Sequence, residues 1–387
     1  MNNFAKLNIN EKIINGLKKE NITIPTKIQS DSIADILEGN DVIAEAVTGS
    51  GKTLAFLLPS FEKIDTSSKE LHTIVIVPTH ELALQINNVI KALAKNSEFP
   101  VRSVLIIGQV NIKRQIEYLK AKPHIVVGTP GRILELIKLK KIKAHQTKTI
   151  VIDEADKMLS DNNMSTVKAI IKTTLRDRQV LAFSASISER TKERAREVMK
   201  EPKLISLTGE KINSDIKHIF VRAERRDKID LLRKIIHALK HPKVIVFINR
   251  NEKVQEVVLK LSHHKIATVG IYGNAEKNER KQALDFFRNG RANVMVASDV
   301  GARGLDFKNV THIINLDLPE DLNEYTHRVG RTGRNGKKGT AISIITSREE
   351  ESMNIIEKRN KIELDERIIY NGKLLTFDQY NNNFKER

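Results

Sequence analysis

The chain alternates short, almost uninterrupted apolar runs with longer segments in which apolar residues recur at helical spacing. In the first half the runs are Asp41-Val42-Ile43-Ala44, Thr73-Ile74-Val75-Ile76-Val77, His124-Ile125-Val126-Val127, Thr149-Ile150-Val151-Ile152 and Gln179-Val180-Leu181-Ala182-Phe183. A strand with one wet face alternates apolar and polar positions, so nearly continuous apolar runs predict strands buried on both faces of a parallel sheet. Helical stretches such as 81–94 and 188–200 lie between the runs, and strand–helix–strand alternation predicts a doubly wound α/β domain. The pattern breaks over 206–218, with Thr208-Gly209-Glu210-Lys211, and resumes at 243–248, 266–271, 293–297 and 312–316. The expected architecture is two tandem parallel-sheet α/β domains, 1–206 and 218–365, joined by a short linker at 207–217. Residues 340–346 read as the last strand, 348–360 as the last helix, and 366–387, with Asn381-Asn382-Asn383, as a loosely ordered tail. No sequence repeat of fixed period is visible, so any kinship between the halves is one of pattern.

Composition agrees with two folded domains. The chain has 387 residues, 40% hydrophobic, and no Pro- or Gly-rich block. Lys+Arg number 66 against 48 Asp+Glu, a formal charge of +18. An excess that large predicts a polyanionic partner, because basic surface attracts phosphates and releases their counterions; the plainer reading is a solvated basic surface. No stretch joins a strong apolar face to a Lys-rich one, which argues against a membrane partner. The absence of cysteine excludes disulfides, thiolate catalysis and Cys-based zinc sites. The 11 His residues form no H-E-x-x-H cluster, and His263-His264 reads as a solvated helix end. No apolar run approaches the roughly 18 residues of a membrane span, and Met1-Asn2-Asn3-Phe4 has no signal pattern, so a cytoplasmic protein is expected.

Two segments carry nucleotide chemistry. Ala46-Val47-Thr48-Gly49-Ser50-Gly51-Lys52-Thr53 follows a strand and opens a helix, the context of a phosphate-binding loop. Its glycines let backbone N–H groups close around phosphates, Lys52 reaches the β/γ-phosphates, and Thr53 ligates Mg²⁺. The bland alternative is a chance Gly-Ser-Gly turn. Val151-Ile152-Asp153-Glu154-Ala155-Asp156 puts carboxylates just past a hydrophobic strand. There Asp153 would hold Mg²⁺ through water and Glu154 would accept a proton from an attacking water. Alone it could be an acidic helix start; the two segments together describe two halves of one ATPase site.

With Asp153-Glu154-Ala155-Asp156 and the loop at 46–53, the chain resembles the DEAD-box family of ATP-dependent RNA helicases, and the resemblance runs in the family's motif order from Phe4 to about Arg334. It implies two RecA-like domains, with ATP and Mg²⁺ as cofactors and RNA as partner. Ile24-Pro25-Thr26-Lys27-Ile28-Gln29 is similar to the family's adenine-reading motif. Gln29 would bond both edges of adenine, and Phe4, 25 residues upstream, would stack on the base; taken singly, Gln29 is an ordinary loop residue and Phe4 a core residue. Pro78, Thr79, Gly108, Thr129, Gly131 and Arg132 fall in segments that contact RNA in the family, as do Arg250 and Ser298 in the second domain. Asp156, Ser184, Ser186 and His327 match residues that couple the ATP site to domain closure. Asp306 would approach the ribose, and Arg331 and Arg334 of the run 327–334 would approach the γ-phosphate.

The chain departs from the family pattern at His80 for Arg, at Gly108-Gln109 for a glycine doublet, at Asn21-Ile22 for Gly-aromatic and at Lys277 for Gln, with Ser186 and Ser298 for Thr. Contacts of this kind go to sugar and phosphate, so binding should depend on salt and little on base sequence. An aromatic content of 4% without Trp argues against a stacking platform. The resemblance implies local duplex melting or remodelling of RNA–protein assemblies; an ATP-gated RNA clamp and a DNA-directed motor are the alternatives. The roughly fifty residues after Arg334 leave no room for a further RNA-binding domain, so any targeting would come from protein partners or from mass action.

Overall fold

Alternate residues of each apolar run belong to different cores. In the first domain Val42, Ala44, Val75, Val77, Val127 and Val151 pack into one cluster, while Ile43, Ile74, Ile76, Val126, Ile150 and Ile152 pack into another. Side chains on a strand point to opposite faces in turn, so a strand can be apolar throughout only if helices cover both faces. That is the arrangement in the computed structural model, which describes residues 3–385 apart from 48, 208–214, 241, 273–276, 303–306, 308, 323 and 334–336. Compact packing divides the chain into Met1–Gly209 and Glu210–Arg387.

The first domain holds strands β1 (Val42–Glu45), β2 (Thr73–Ile76), β3 (Ser103–Ile106), β4 (Ile125–Gly128), β5 (Thr149–Asp153), β6 (Gln179–Ser184) and β7 (Lys203–Ser206). They pair in the order β3-β4-β2-β5-β6-β1-β7, with every pairing parallel. The second holds β8 (Ile216–Arg222), β9 (Val244–Ile248), β10 (Thr268–Ile271), β11 (Val294–Ser298), β12 (His312–Asn315), β13 (Gly339–Ile345) and β14 (Leu364–Glu366). Their order is β10-β11-β9-β12-β13-β8-β14, again wholly parallel. The two orders correspond strand for strand, with β8 in the place of β1 and β12 in the place of β5. The halves are therefore one topology used twice, a kinship without a sequence repeat. This confirms the expected pair of parallel-sheet domains.

The strands not expected from sequence are those on or next to a sheet edge. β3, β7 and β14 are edge strands, and β8 carries exposed Lys217 and Arg222 among buried neighbours. Fewer covered positions leave a weaker apolar signal. β8 also begins inside the span assigned to the linker, whose residues 208–214 lie outside the described region.

The expectation of a loosely ordered tail is corrected. Residues 366–387 include an antiparallel pair, β15 (Ile368–Tyr370) with β16 (Lys373–Leu375), and the helix Phe377–Lys385. Asn371-Gly372 makes the two-residue turn with φ of 47° and 71°, the left-handed pair that Asn-Gly favours between twisted strands. Ile369 and Leu374 pack on the second domain's core, and the rings of Tyr370 and Tyr380 meet edge-on at 5.2 Å. A Cβ on Gly372 would meet nothing within 4 Å, so its requirement is conformational. Gly372→Ala should cost about 1 kcal/mol, read as a lower urea midpoint for the second domain with the first unchanged.

Candidate nucleotide and nucleic-acid site

In a parallel sheet all strands end on one edge, and ligand groups gather in the crevices beyond those ends. The loop at 46–53 leaves β1, Asp153 closes β5 and Ser184 closes β6. β5, β6 and β1 are consecutive in the sheet, so side chains more than a hundred residues apart converge. The loop is tied down where it starts, since the Ala46 N–H donates to the Ser184 carbonyl at 3.0 Å. Ser50 donates through Oγ to the Val47 carbonyl at 2.7 Å. Gly49 and Gly51 hold φ of 87° and 93°, values that favour glycine. Gly51 is needed for space as well: a Cβ there would lie 2.4 Å from Gln29 Nε2. Thr48 lies outside the described residues.

Lys52, the first residue of the helix Lys52–Lys63, donates to the carbonyls of Ala46 and Val47. Its charge also acts on Asp153. The Asp153 carboxyl is pushed up to about 6, first by burial and then by the neighbouring Glu154 and Asp156 carboxylates, with Lys52 opposing. A buried carboxylate held above its ordinary pKa suits a divalent cation, which replaces lost hydration; Asp153 fits Mg²⁺ on this ground, and Thr53, in the first turn of the helix Lys52–Lys63, offers a hydroxyl of the kind such an ion takes. Glu154 has φ 51° and ψ 54°, a costly backbone for a non-glycine residue of the sort found at functional sites. Lys157 holds its carboxylate at 3.3 Å. Asp156 accepts a hydrogen bond from Ser184 Oγ at 2.6 Å, and the N–H of Ser186 points to the same hydroxyl at 3.4 Å.

Gln29 is buried, and both ends of its amide are engaged. Oε1 accepts from the Thr26 N–H at 3.0 Å and Nε2 donates to the Gly51 carbonyl at 3.0 Å. The amide thus joins a helix cap to the phosphate-binding loop. Phe4 differs from its expected stacking role: it is 0% exposed within the first core. Its ring is covered by apolar neighbours and offers no face to a base in this arrangement.

Pro78, Thr79, Gly108, Thr129, Gly131 and Arg132 follow β2, β3 and β4, which are adjacent in the sheet. Thr79 caps the helix His80–Ser97, accepting from the Leu82 N–H at 3.2 Å. A Cβ on Gly131 would point into open space. Arg132, expected to meet RNA, is turned inward, donating to the Val110 carbonyl at 3.0 Å and pairing with Glu135 at 2.9 Å. It thereby holds the turn that carries Gly108. Two departures from the family pattern meet at that turn. His80 Nε2 lies 3.4 Å from where a Gly108 Cβ would stand, and Gln109 adopts φ 55°, the left-handed conformation a second glycine would take freely.

In the second domain Arg250 is exposed beyond β9, while Ser298 at the end of β11 is buried and accepts from the Gly301 N–H at 3.1 Å. His327 pairs through Nδ1 with Glu324 at 3.6 Å. Arg331 follows the helix Glu324–Val329 in a turn anchored by Thr332 Oγ1, which donates to the Val310 carbonyl at 2.6 Å. Asp306 and Arg334 lie outside the described residues. The residue that sequence reasoning overlooked is Arg328, 1% exposed. It binds both oxygens of Asp299 at 2.6 Å, the Asn249 side chain at 2.8 Å and the Asp317 carbonyl at 2.6 Å. Its guanidinium lies 5.2 Å from the Phe247 ring centroid. The signal was its place one helical turn after Tyr325, on a face otherwise apolar. Arg328 therefore fixes the turns after β9, β11 and β12 with one group.

A phosphate-binding loop and an acidic strand end on one parallel-sheet edge define a nucleotide-binding ATPase domain, followed here by a second domain of the same topology. Residues 26–195 match the DEAD/DEAH box helicase family and residues 227–336 the helicase conserved C-terminal domain. The chain is 39% identical to the DEAD-box ATP-dependent RNA helicase CshC of Bacillus cereus over 90% of its length and 89% of the relative. It is 40% identical to the probable ATP-dependent RNA helicase YfmL of Bacillus subtilis over 91% and 93%. The structure of S. cerevisiae Dbp5 bound to RNA and ADP BeF3 matches with TM-score 0.87 and 26% identity, covering 100% of this chain and 98% of that one. The chain belongs to the DEAD-box family of ATP-dependent RNA helicases, enzymes that hydrolyse ATP.

Because burial raises the Asp153 pKa, the ionised form is penalised in the folded state above about pH 6, a penalty that vanishes below the ordinary carboxylate range. Asp153→Asn should raise the melting temperature of the nucleotide-free protein at neutral pH, by on the order of 1–3 kcal/mol in stability, while ATP hydrolysis falls. Arg328→Met leaves the Asp299 carboxylate without its partner and should destabilise the second domain by about 3 kcal/mol; Asp299→Asn added to it should recover part of the loss, both read by urea unfolding.

Proposed function

We propose that the chain couples RNA-stimulated ATP hydrolysis to local, sequence-independent separation of short RNA duplexes or to remodelling of RNA–protein assemblies. The observation that carries this reading is the convergence of Lys52, Asp153, Glu154 and Asp156 with the Ser184 hydroxyl on one sheet edge. Lys52 leaves the Ala46 and Val47 carbonyls for the β/γ-phosphates when ATP enters. Thr53 and Asp153 would hold Mg²⁺, which when bound neutralises phosphate charge. Glu154, on its strained backbone, takes a proton from the attacking water. Asp156 and Ser184 form one hydrogen-bonded unit through which that centre is joined to β6. Arg331 and Arg334 stabilise charge on the transferred phosphoryl group, the role arginine plays in this chemistry.

RNA contacts fall to the turns beyond β2, β3 and β4, and beyond β9 and β11. These turns offer hydroxyls, backbone N–H groups and Arg250, which suit sugar and phosphate better than base edges. The Dbp5 structure, which holds RNA and ADP BeF3, supports a nucleic-acid role for the same fold. The formal charge of +18 supplies long-range attraction for a polyanion. The reading places the protein in the cytoplasm, with targeting by protein partners, and among the described residues no helix is long and apolar enough to cross a membrane.

The decisive comparison is ATP turnover with RNA, with DNA of the same sequence, and with neither, alongside separation of a short RNA duplex. RNA alone should stimulate turnover and the duplex should part. Stimulation by DNA to the same degree, or stimulation without strand separation, overturns the proposal. Glu154→Gln should bind ATP and RNA as the parent does while turnover drops by about 10²–10⁴; normal turnover in that variant removes Glu154 from its role.

A further inference from the structure

Because the second domain repeats the first strand for strand, the place of the nucleotide site has a counterpart beyond the ends of β8, β12 and β13. The structure has a cavity of about 590 Å³ at that place, lined by second-domain residues alone. Small-molecule sites commonly enclose about 300–1,000 Å³. Lys228 opens the helix Lys228–Ala238 after β8, as Lys52 opens its helix after β1. Asp317 stands just past β12, as Asp153 stands at the end of β5.

The counterpart lacks what hydrolysis needs. The segment between β8 and its helix, Ala223-Glu224-Arg225-Arg226-Asp227, contains no glycine to wrap a polyphosphate. Lys228 Nζ is buried and donates to the Leu316 carbonyl at 3.0 Å and to Glu349 at 2.9 Å, so it is not free for a phosphate. One Asp317 oxygen accepts the Asn249 N–H at 3.2 Å. The cavity nevertheless keeps a full set of recognition groups. Arg225, Arg250, Lys253 and Arg348 line it and are exposed; among the described residues Arg225, Arg250 and Arg348 have no side-chain partner, while the Lys253 charge acts on Glu256. Glu224 and Glu320 are exposed on its rim, and Ile229 and Leu316 contribute apolar surface.

From this lining we propose that the crevice binds one ribonucleotide unit and does not hydrolyse it. Arg225 and Arg348 take the phosphate. A rim carboxylate accepts the ribose hydroxyls, a pairing that carboxylates make in other nucleotide folds. The base lies against Ile229 and the plane of a guanidinium, a surface on which bases stack. Arg250 belongs both to this cavity and to the turn assigned above to RNA, so a nucleotide of a bound RNA strand and a free mononucleotide are the two sources of the same chemistry.

The test is photocrosslinking on the full chain with two probes, 8-azido-AMP and an oligoribonucleotide carrying 4-thiouridine, followed by mapping of labelled peptides. Labelling within 224–229 or 346–349 by either probe is the expected result. The mononucleotide alone indicates a free ligand, and the oligonucleotide alone indicates a strand nucleotide. The double variant Arg225→Glu with Arg348→Glu should lose this label at least roughly tenfold while keeping first-domain labelling and RNA-free ATP turnover. Arg225→Gln with Arg348→Gln, which removes charge without adding repulsion, should fall between. Absence of label at these segments with both probes, or equal labelling in parent and charge-reversed variant, overturns the proposal. First-domain labelling is scored separately, so failure of this site is distinct from failure of the helicase reading.

Discussion

A parallel sheet covered by helices on both faces has no polar surface except at its ends, and that constraint organises the whole protein. Val42, Ala44 and Val75 face one core while Ile43, Ile74 and Ile76 face the other. No position inside β1 or β2 is left over for chemistry; Glu45, the last residue of β1, accepts from the Ile187 N–H and the Ser206 hydroxyl. Every group that could meet a phosphate, a proton or a sugar must therefore sit where a strand gives way to a turn. Consecutive places in the sheet for β5, β6 and β1 bring Asp153, Ser184 and the loop at 46–53 together. The same rule, applied to β8, β12 and β13, creates the crevice in the second domain.

Gathering polar groups at a crowded edge creates an electrostatic cost, and the protein meets it differently in its two domains. In the first, Asp153 is held buried among Glu154 and Asp156, and although Lys52 and the Glu154 N–H oppose them, its carboxyl stays above the ordinary range. That frustration suits a site whose missing charge arrives with a ligand. In the second, Arg328 is fully satisfied by Asp299, Asn249 and the Asp317 carbonyl. Lys228 is likewise matched to Glu349. Unbalanced charge marks the buried strand end at Asp153, and balanced charge marks the buried groups, Arg328 and Lys228, that keep the second domain's turns in place.

Several residues that resemble ligand-contacting positions are also structural. Gln29 caps its own helix and holds the Gly51 carbonyl, so a change in the phosphate-binding loop is felt directly at the position that reads adenine in the family. Arg132 secures the turn bearing Gly108 through the Val110 carbonyl. At that turn His80 approaches Gly108, the residue before Gln109, and two substitutions that look unrelated along the chain become one local variation on the fold.

The covalent chain alone determined the class of fold, because runs apolar at every position can only be strands hidden on both sides. It also determined the ATP chemistry, since Gly49-Ser50-Gly51-Lys52-Thr53 and Asp153-Glu154-Ala155-Asp156 are local signatures whose neighbours in sequence are their neighbours in space. What it left undecided were relations set by strand order and packing. Edge strands such as β7 and β14 have few covered positions and little apolar signal, and the Asn371-Gly372 turn gained meaning only through the packing of Ile369 and Leu374. The partners of Arg328 at Asn249, Asp299 and Asp317 come together only in the folded domain, and of the two readings of Phe4, stacking surface or core residue, packing decides for the core. Which side chains are spent on holding the protein, and which remain for a partner, is a matter of distances between distant segments, and only the tertiary structure supplies those.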